Sequence, residues 1–155
     1  MFETMKNPLF TYIPALLLAL TYMITLVQET SDDELITSYL LAQCQTMHGE
    51  STAEDVETLL ALFTDDIVYE HPKVGIKLES KDVLREGKLN FLASYGGTED
   101  NTTMELVSKI TNNEVVIIKF NASFFTNSGE QLNRTQTQVL EIDEGKISRI
   151  IDYWD

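Results

Sequence analysis

The hydrophobic period of this chain changes once, near Gly97, and that change dictates the fold class. Upstream, apolar residues recur at helical spacing in three segments. Leu35, Ile36, Tyr39, Leu40 and Met47 form the first stripe, and Val56, Leu59, Leu60 and Phe63 the second. Val83, Leu84, Phe91, Leu92 and Tyr95 form the third, closed by Gly96-Gly97. Ser31-Asp32-Asp33-Glu34 has the form of a capping box, and Thr52 and Ser80 stand where the later helices need caps. Downstream the period is two. Strands are predicted near Thr103–Ile110, Glu114–Thr126, Gln131–Ile142 and Lys146–Trp154, with hairpin turns at Asn127-Ser128-Gly129 and Asp143-Glu144-Gly145. One early strand, Ile67–His71, falls between helices. Helices first and a meander of long strands afterwards read as α+β, with the helices packed on one face of a curved sheet.

The first functional signal lies in Thr64-Asp65-Asp66-Ile67-Val68-Tyr69-Glu70-His71-Pro72, where Asp65 and Asp66 read as a turn and a strand follows. Ile67, Tyr69 and His71 share one strand face, so His71 points toward whatever the sheet encloses. Pro72 removes a ladder donor and holds His71 extended at the strand end. A group that titrates near neutrality at the rim of an apolar interior is a candidate for proton transfer. On the last strand Ile150, Asp152 and Trp154 share a face, and an acid among such neighbours needs a partner if buried. Structural roles stay open at this point: a hydrogen-bonded strand-end His71, a core Tyr39, and an Asp152 on an exposed sheet edge.

With 155 residues, 43% of them apolar, the chain suits one globular domain. Its net charge of −14 excludes nucleic acid and anionic membrane surfaces as partners. Residues 9–27 carry no charge and lie at the border between a long signal sequence and a short membrane span. The expectation is a cleaved export signal within residues 1–30 and a periplasmic or secreted domain over 31–155. The alternative is an anchor that keeps residues 9–27 in the membrane. Cys44 has no partner for a disulfide and reads as a small buried hydrophobe. The two histidines, His48 and His71, lack metal-ligand spacing, and no Gly-rich phosphate loop is present, so neither metal nor cofactor is expected.

The element order, with Phe63-Thr64-Asp65-Asp66-Ile67-Val68-Tyr69-Glu70-His71-Pro72 early and Glu141-Ile142-Asp143-Glu144-Gly145-Lys146-Ile147 before the last strand, resembles the nuclear transport factor 2-like superfamily. Within it, the resemblance is to the SnoaL-like and ketosteroid isomerase-like branch, over about Leu35 to Trp154. It implies a cone-shaped, mostly antiparallel sheet with three helices of the N-terminal half on its concave face. Ketosteroid isomerases use a carboxylate base with a tyrosine and a protonated aspartic acid as oxyanion hole. The resemblance puts the base at His71, the tyrosine at Tyr39 and the oxyanion acid at Gln138, whose amide stabilises less than a neutral acid. It also turns Ile150, Asp152 and Trp154 into the cavity, with Asp152 in reach of His71 as its orienter. Tyr69, Arg134 and Gln136 fall beside them.

In Glu114–Thr126 one face is apolar (Val116, Ile118, Phe120, Ala122, Phe124) and the other mixed (Val115, Ile117, Lys119, Asn121, Ser123, Phe125). Hydrophobicity alone turns the apolar face inward, whereas the family alignment turns the mixed face inward. The alignment leaves an apolar face to be covered, which implies a homodimer through Ile118, Phe120 and Phe124. Two kinds of function fit. One is a small isomerase, cyclase or lyase acting on an apolar carbonyl compound, with His71 as proton shuttle, Asp152 as orienter, and Tyr39 and Gln138 as donors to the oxyanion. The other is a carrier or dimerisation module of the same fold without turnover.

Overall fold

Helix α1, residues 32–45, is followed by α2 (Ala53–Leu60) and strand β1 (Phe63–His71). A 3₁₀ turn at Pro72–Val74 leads to β2 (Ile76–Glu79) and helix α3 (Lys81–Tyr95). Strands β3 (Thr103–Asn112), β4 (Val115–Phe125), β5 (Gln131–Asp143) and β6 (Lys146–Tyr153) complete the chain. The computed structural model describes residues 32–95, 102–125 and 130–154. The N-terminal apolar run, the Ser31 cap, Gly96-Gly97 and the Asn127-Ser128-Gly129 turn lie outside the described residues. No helix among the described residues is long and apolar enough to cross a membrane.

The six strands form one curved sheet in the order β2-β1-β6-β5-β4-β3, antiparallel except for the β1–β6 pair. Thr52 caps α2 through a capping box with Asp55, and the helix buries Val56, Leu59 and Leu60. At the β5–β6 hairpin Glu144 (φ 48°) and Gly145 (φ 77°) both take the left-handed conformation that a two-residue turn between right-twisted strands requires. The core joins Ile36, Tyr39 and Leu40 of α1 to the helix α2 residues and to the inner faces of β1, β4, β5 and β6.

Two expectations are corrected, and one strand is added. The second helix ends at Leu60, and Phe63 opens β1; Asp65 and Asp66 lie in that strand rather than in a turn. A shift of register between Phe63 and Val68 absorbs the polar stretch as an irregular, exposed part of the ladder. The stretch after Gly75 contains β2, a four-residue edge strand too short and too exposed to leave a periodic signal. The second correction concerns β4. Val116, Ile118, Phe120 and Ala122 are buried in the core, and Val115 and Ile117 face outward. Burial therefore follows hydrophobicity, because turning Ile118 and Phe120 outward would forfeit about 1.5–3 kcal/mol for each. A dimer through Ile118, Phe120 and Phe124 is thereby excluded: Phe120 is 1% exposed within its own chain.

Candidate functional site

Between the helices and the inner face of the sheet lies a cavity of about 580 Å³. Helix α1 presents Tyr39 and Gln43 to it, the turn after it Thr46 and Met47, and α3 presents Leu84, Gly87, Lys88 and Phe91. The α3 set follows the i, i+3, i+4, i+7 spacing of a single helix face, and Tyr39 and Gln43 stand one turn apart on α1. From the sheet come Tyr69 of β1, Ala122 and Phe124 of β4, Arg134, Gln136 and Gln138 of β5, and Ile150 and Asp152 of β6, with Trp154 just beyond. The surface of the walls is mainly apolar, with polar groups contributed by both the helices and the sheet, as in a small-molecule site.

The polar groups form a directed chain of hydrogen bonds. The Tyr69 hydroxyl donates to Asp152 Oδ2 at 3.1 Å and itself accepts from the Trp154 side chain. Gln138 is the direct cross-strand neighbour of Asp152 and helps to hold its carboxylate in the charged form. The Tyr39 hydroxyl donates to Gln138 Oε1 at 2.9 Å. Asp152 is 6% exposed, and its Oδ1 is buried without a hydrogen-bond partner among the described residues. Burial raises the Asp152 pKa above the ordinary carboxylate value, while the bonds from Gln138 and Tyr69 and the charges of His71 and Lys88 hold it down. Burial first, and then the nearby Asp152 charge, push both Tyr39 and Tyr69 well above the usual phenol range. Both hydroxyls are therefore donors at any physiological pH.

Arg134 lies over the rings of Phe124 and Trp154, its guanidinium carbon 5.3 and 5.0 Å from their centroids. Lys88 projects from α3, and its Nζ donates to Gln43 Oε1 at 3.2 Å. Desolvation pulls its pKa down to about 8, against the upward pull of Asp152.

Of the residues singled out in the sequence, Tyr39, Tyr69, Arg134, Gln138, Ile150, Asp152 and Trp154 all line this cavity, and Gln136 joins them. His71 does not. The register that pairs Glu70 with Ile151 puts His71 beside Asp152 on the same side of the sheet, but its ring packs on Trp154, 4.5 Å between centroids. It is 1% exposed, and neither ring nitrogen has a hydrogen-bond partner among the described residues. His71 thus stands behind the cavity wall, coupled to Asp152 through charge. The residues that sequence reasoning missed are Lys88 and Gln43. A signal for Lys88 was present: it lies four residues after Leu84 and three before Phe91, a cation on the apolar face of a helix.

Curved sheet, covering helices and the cavity between them define a nuclear transport factor 2-like protein of the ketosteroid isomerase-like type. The family model of the SnoaL-like domain matches residues 45–150, and the chain belongs to that family. A protein of ketosteroid isomerase-like fold from Catenulispora acidiphila, solved with trimethylamine, is 15% identical with a TM-score of 0.62; the match covers 79% of this chain and 85% of that one. TerC co-crystallised with polyporic acid is also 15% identical, with a TM-score of 0.64 over 81% of this chain and 92% of that one. A nuclear transport factor 2-like protein from Burkholderia xenovorans is 15% identical, with a TM-score of 0.60 over 82% and 84% of the two chains. Likeness at this level of identity establishes the fold. A comparison with curated proteins finds no match.

Proposed function

We propose that this domain binds one small, largely apolar carbonyl compound in the concave cavity and moves a proton on it, as an isomerase, cyclase or lyase. The observation that carries this reading is the Asp152 carboxylate: buried, held by Tyr69 through one oxygen and without a hydrogen-bond partner at the other among the described residues. Burial brings its pKa closer to neutrality, which favours a group that must both take and return a proton. Asp152 takes the role of base, and His71 acts from behind as a positioning residue that packs on Trp154 and tunes the carboxylate by its charge. Tyr69, Gln138, Trp154, Arg134 and Ile150 form the binding surface. Two proteins of this fold were crystallised with small molecules, trimethylamine and polyporic acid, which supports small-molecule binding here.

Gly87 allows a clean test. It lines the cavity on α3, and a Cβ added there meets nothing within 4 Å. Gly87→Phe therefore narrows the cavity while removing a helical glycine that costs about 1 kcal/mol. Thermal-shift titration with cyclic ketones should show binding to the wild type and none to a well-folded Gly87→Phe. Equal binding by both would sink the reading. A carrier without turnover is the second reading, favoured by the Tyr39–Gln138 bond, which occupies a hydroxyl that an oxyanion would otherwise use.

We also infer a homodimer, now through the outer face. Ile110, Ile117, Val139 and Ile151 lie side by side across β3, β4, β5 and β6, and Ile110 is 63% exposed. Export through residues 1–30, cleaved or retained as an anchor, is the remaining part of the proposal, supported by the uncharged run at 9–27. Residues 31–155 expressed alone should then melt cooperatively; insoluble material would count against that boundary.

A further inference from the structure

Lys88 shares the cavity with Asp152 yet has no part in the chemistry assigned so far. Helical spacing puts it between Leu84 and Phe91, and its Nζ reaches Gln43 across the gap between α3 and α1. Lys77 is ion-paired with Glu79, and Lys81 with Asp65. Lys88 has no carboxylate within ion-pair distance among the described residues; its hydrogen bond is to a neutral amide. Holding an ammonium in an apolar cavity without an ion-pair partner is unfavourable. An ammonium also carries three donors, more than Gln43 Oε1 uses. Meanwhile Tyr39 and Gln138, at the positions expected to hold a developing oxyanion, are bonded to each other. The site has a base and two cations; Arg134 lies over the Phe124 and Trp154 rings, which leaves Lys88 as the candidate electrophile.

We propose that Lys88 is the electrophile of this site, receiving the carbonyl oxygen of an enolisable ketone or aldehyde and stabilising the enolate formed when Asp152 removes a proton from the adjacent carbon. This inference rests on the proton-transfer reading of Asp152. In the step, the C–H bond breaks and its proton passes to Asp152. The C–H electron pair becomes the new C=C bond, and the carbonyl π pair moves to oxygen, where the Lys88 N–H groups hold it. Return of the proton from Asp152 to another carbon of the extended enolate restores the carbonyl and the carboxylate. No oxidant, reductant or cofactor enters the balance. The substrate class is then an apolar carbonyl compound with an acidic C–H beside the carbonyl, such as an unsaturated ketone whose double bond can migrate.

The titratable groups sharing the cavity with Lys88 are Tyr39 of α1, Tyr69 of β1, Arg134 of β5 and Asp152 of β6. With a pKa of about 8, Lys88 is protonated roughly ten to one at pH 7. The ammonium, rather than the nucleophilic amine, is thus the working form. A depressed pKa also makes it a stronger donor to an enolate than a surface lysine.

The test uses 4-nitrophenol as a mimic of the enolate, its colour reporting whether the bound form is ionised. The proteins are wild type, Lys88→Met, Lys88→Gln, Lys88→Arg and Asp152→Asn, each checked by thermal melting. Lys88→Met and Lys88→Gln should raise the apparent pKa of bound 4-nitrophenol by about one unit or more, a factor of ~10 in its ionised fraction. Lys88→Arg should keep most of the ionisation. Asp152→Asn should tighten phenolate binding by removing a like charge. If the Lys88 variants ionise the probe as the wild type does while Asp152→Asn still tightens binding, the Lys88 proposal is overturned and the Asp152 reading stands. If no substitution changes binding, or the wild type does not bind, the cavity reading fails and this inference with it.

Discussion

Replacing Lys88 with methionine should stabilise the protein at pH 7 and not at pH 10. In the folded state the Lys88 pKa is about 8, against an ordinary value of 10.5. The fold therefore favours the neutral amine, and the unfolded chain binds more protons between those two values. Stability contributed by this site rises with pH through that window: the penalty is complete below pH 8 and fades toward pH 10.5. Its size, from a pKa of about 8 against 10.5, is about 3 kcal/mol at pH 7 and about 1 kcal/mol at pH 10. Methionine fills similar space without charge but leaves Gln43 Oε1 without its donor, a cost of about 1 kcal/mol at either pH. The net expectation is a variant more stable than wild type by about 2 kcal/mol at pH 7, and close to it at pH 10. Urea unfolding of both proteins at the two pH values measures this, and the difference between the two pH values cancels the Gln43 cost. A pH-independent difference, or a Lys88→Met protein that is the less stable at pH 7, would refute the placement of the ammonium in the cavity. Stabilisation on removing a side chain is what a residue kept for function rather than folding should show.

Phe120→Asp should lose cooperative unfolding altogether: truncating a buried Phe costs about 3–5 kcal/mol before the charge is counted, a large share of a domain's total. A folded monomer instead would restore the outward-facing reading of β4. Asp152 has the opposite sign to a surface acid. Because its folded pKa is raised, it contributes stability that is present below the ordinary value of 3.8 and is lost as pH rises through the folded value. Asp152→Asn should therefore flatten that acid-side loss in pH-dependent melts, and an unchanged profile would argue for a solvated carboxylate. For the proposed dimer, the double variant Ile110→Lys, Ile117→Lys should sediment as a monomer with an unchanged melt at high dilution; a wild type that is already monomeric at micromolar concentration defeats the interface.

Much of the cavity was legible because strand parity is a hard constraint. Once Ile67 and Tyr69 were assigned inward, so was His71, and Ile150 took Asp152 and Trp154 with it. Depth was not legible in the same way: parity gives the side of the sheet but not the layer, and His71 packs on Trp154 without joining the cavity lining. The β4 face was misjudged when alignment was preferred to burial, although Ile118 and Phe120 announced their side by hydrophobicity alone. Lys88 escaped because a lysine within a helical stripe ordinarily extends its head to water, and only the geometry of α3 against α1 shows its Nζ turned to Gln43. Edge strand β2 had too few residues to show a period.

Proton abstraction beside a carbonyl leaves a direct trace, exchange of that hydrogen with solvent. The decisive measurement is therefore proton NMR of 2-tetralone, an apolar enolisable ketone, in deuterated buffer with catalytic amounts of protein. The wild type should speed loss of the signals beside the carbonyl above the buffer rate, and Asp152→Asn should lose about 100-fold or more of that acceleration while still melting cooperatively. Exchange no faster than buffer, or an Asp152→Asn protein as active as wild type, would contradict proton transfer at Asp152.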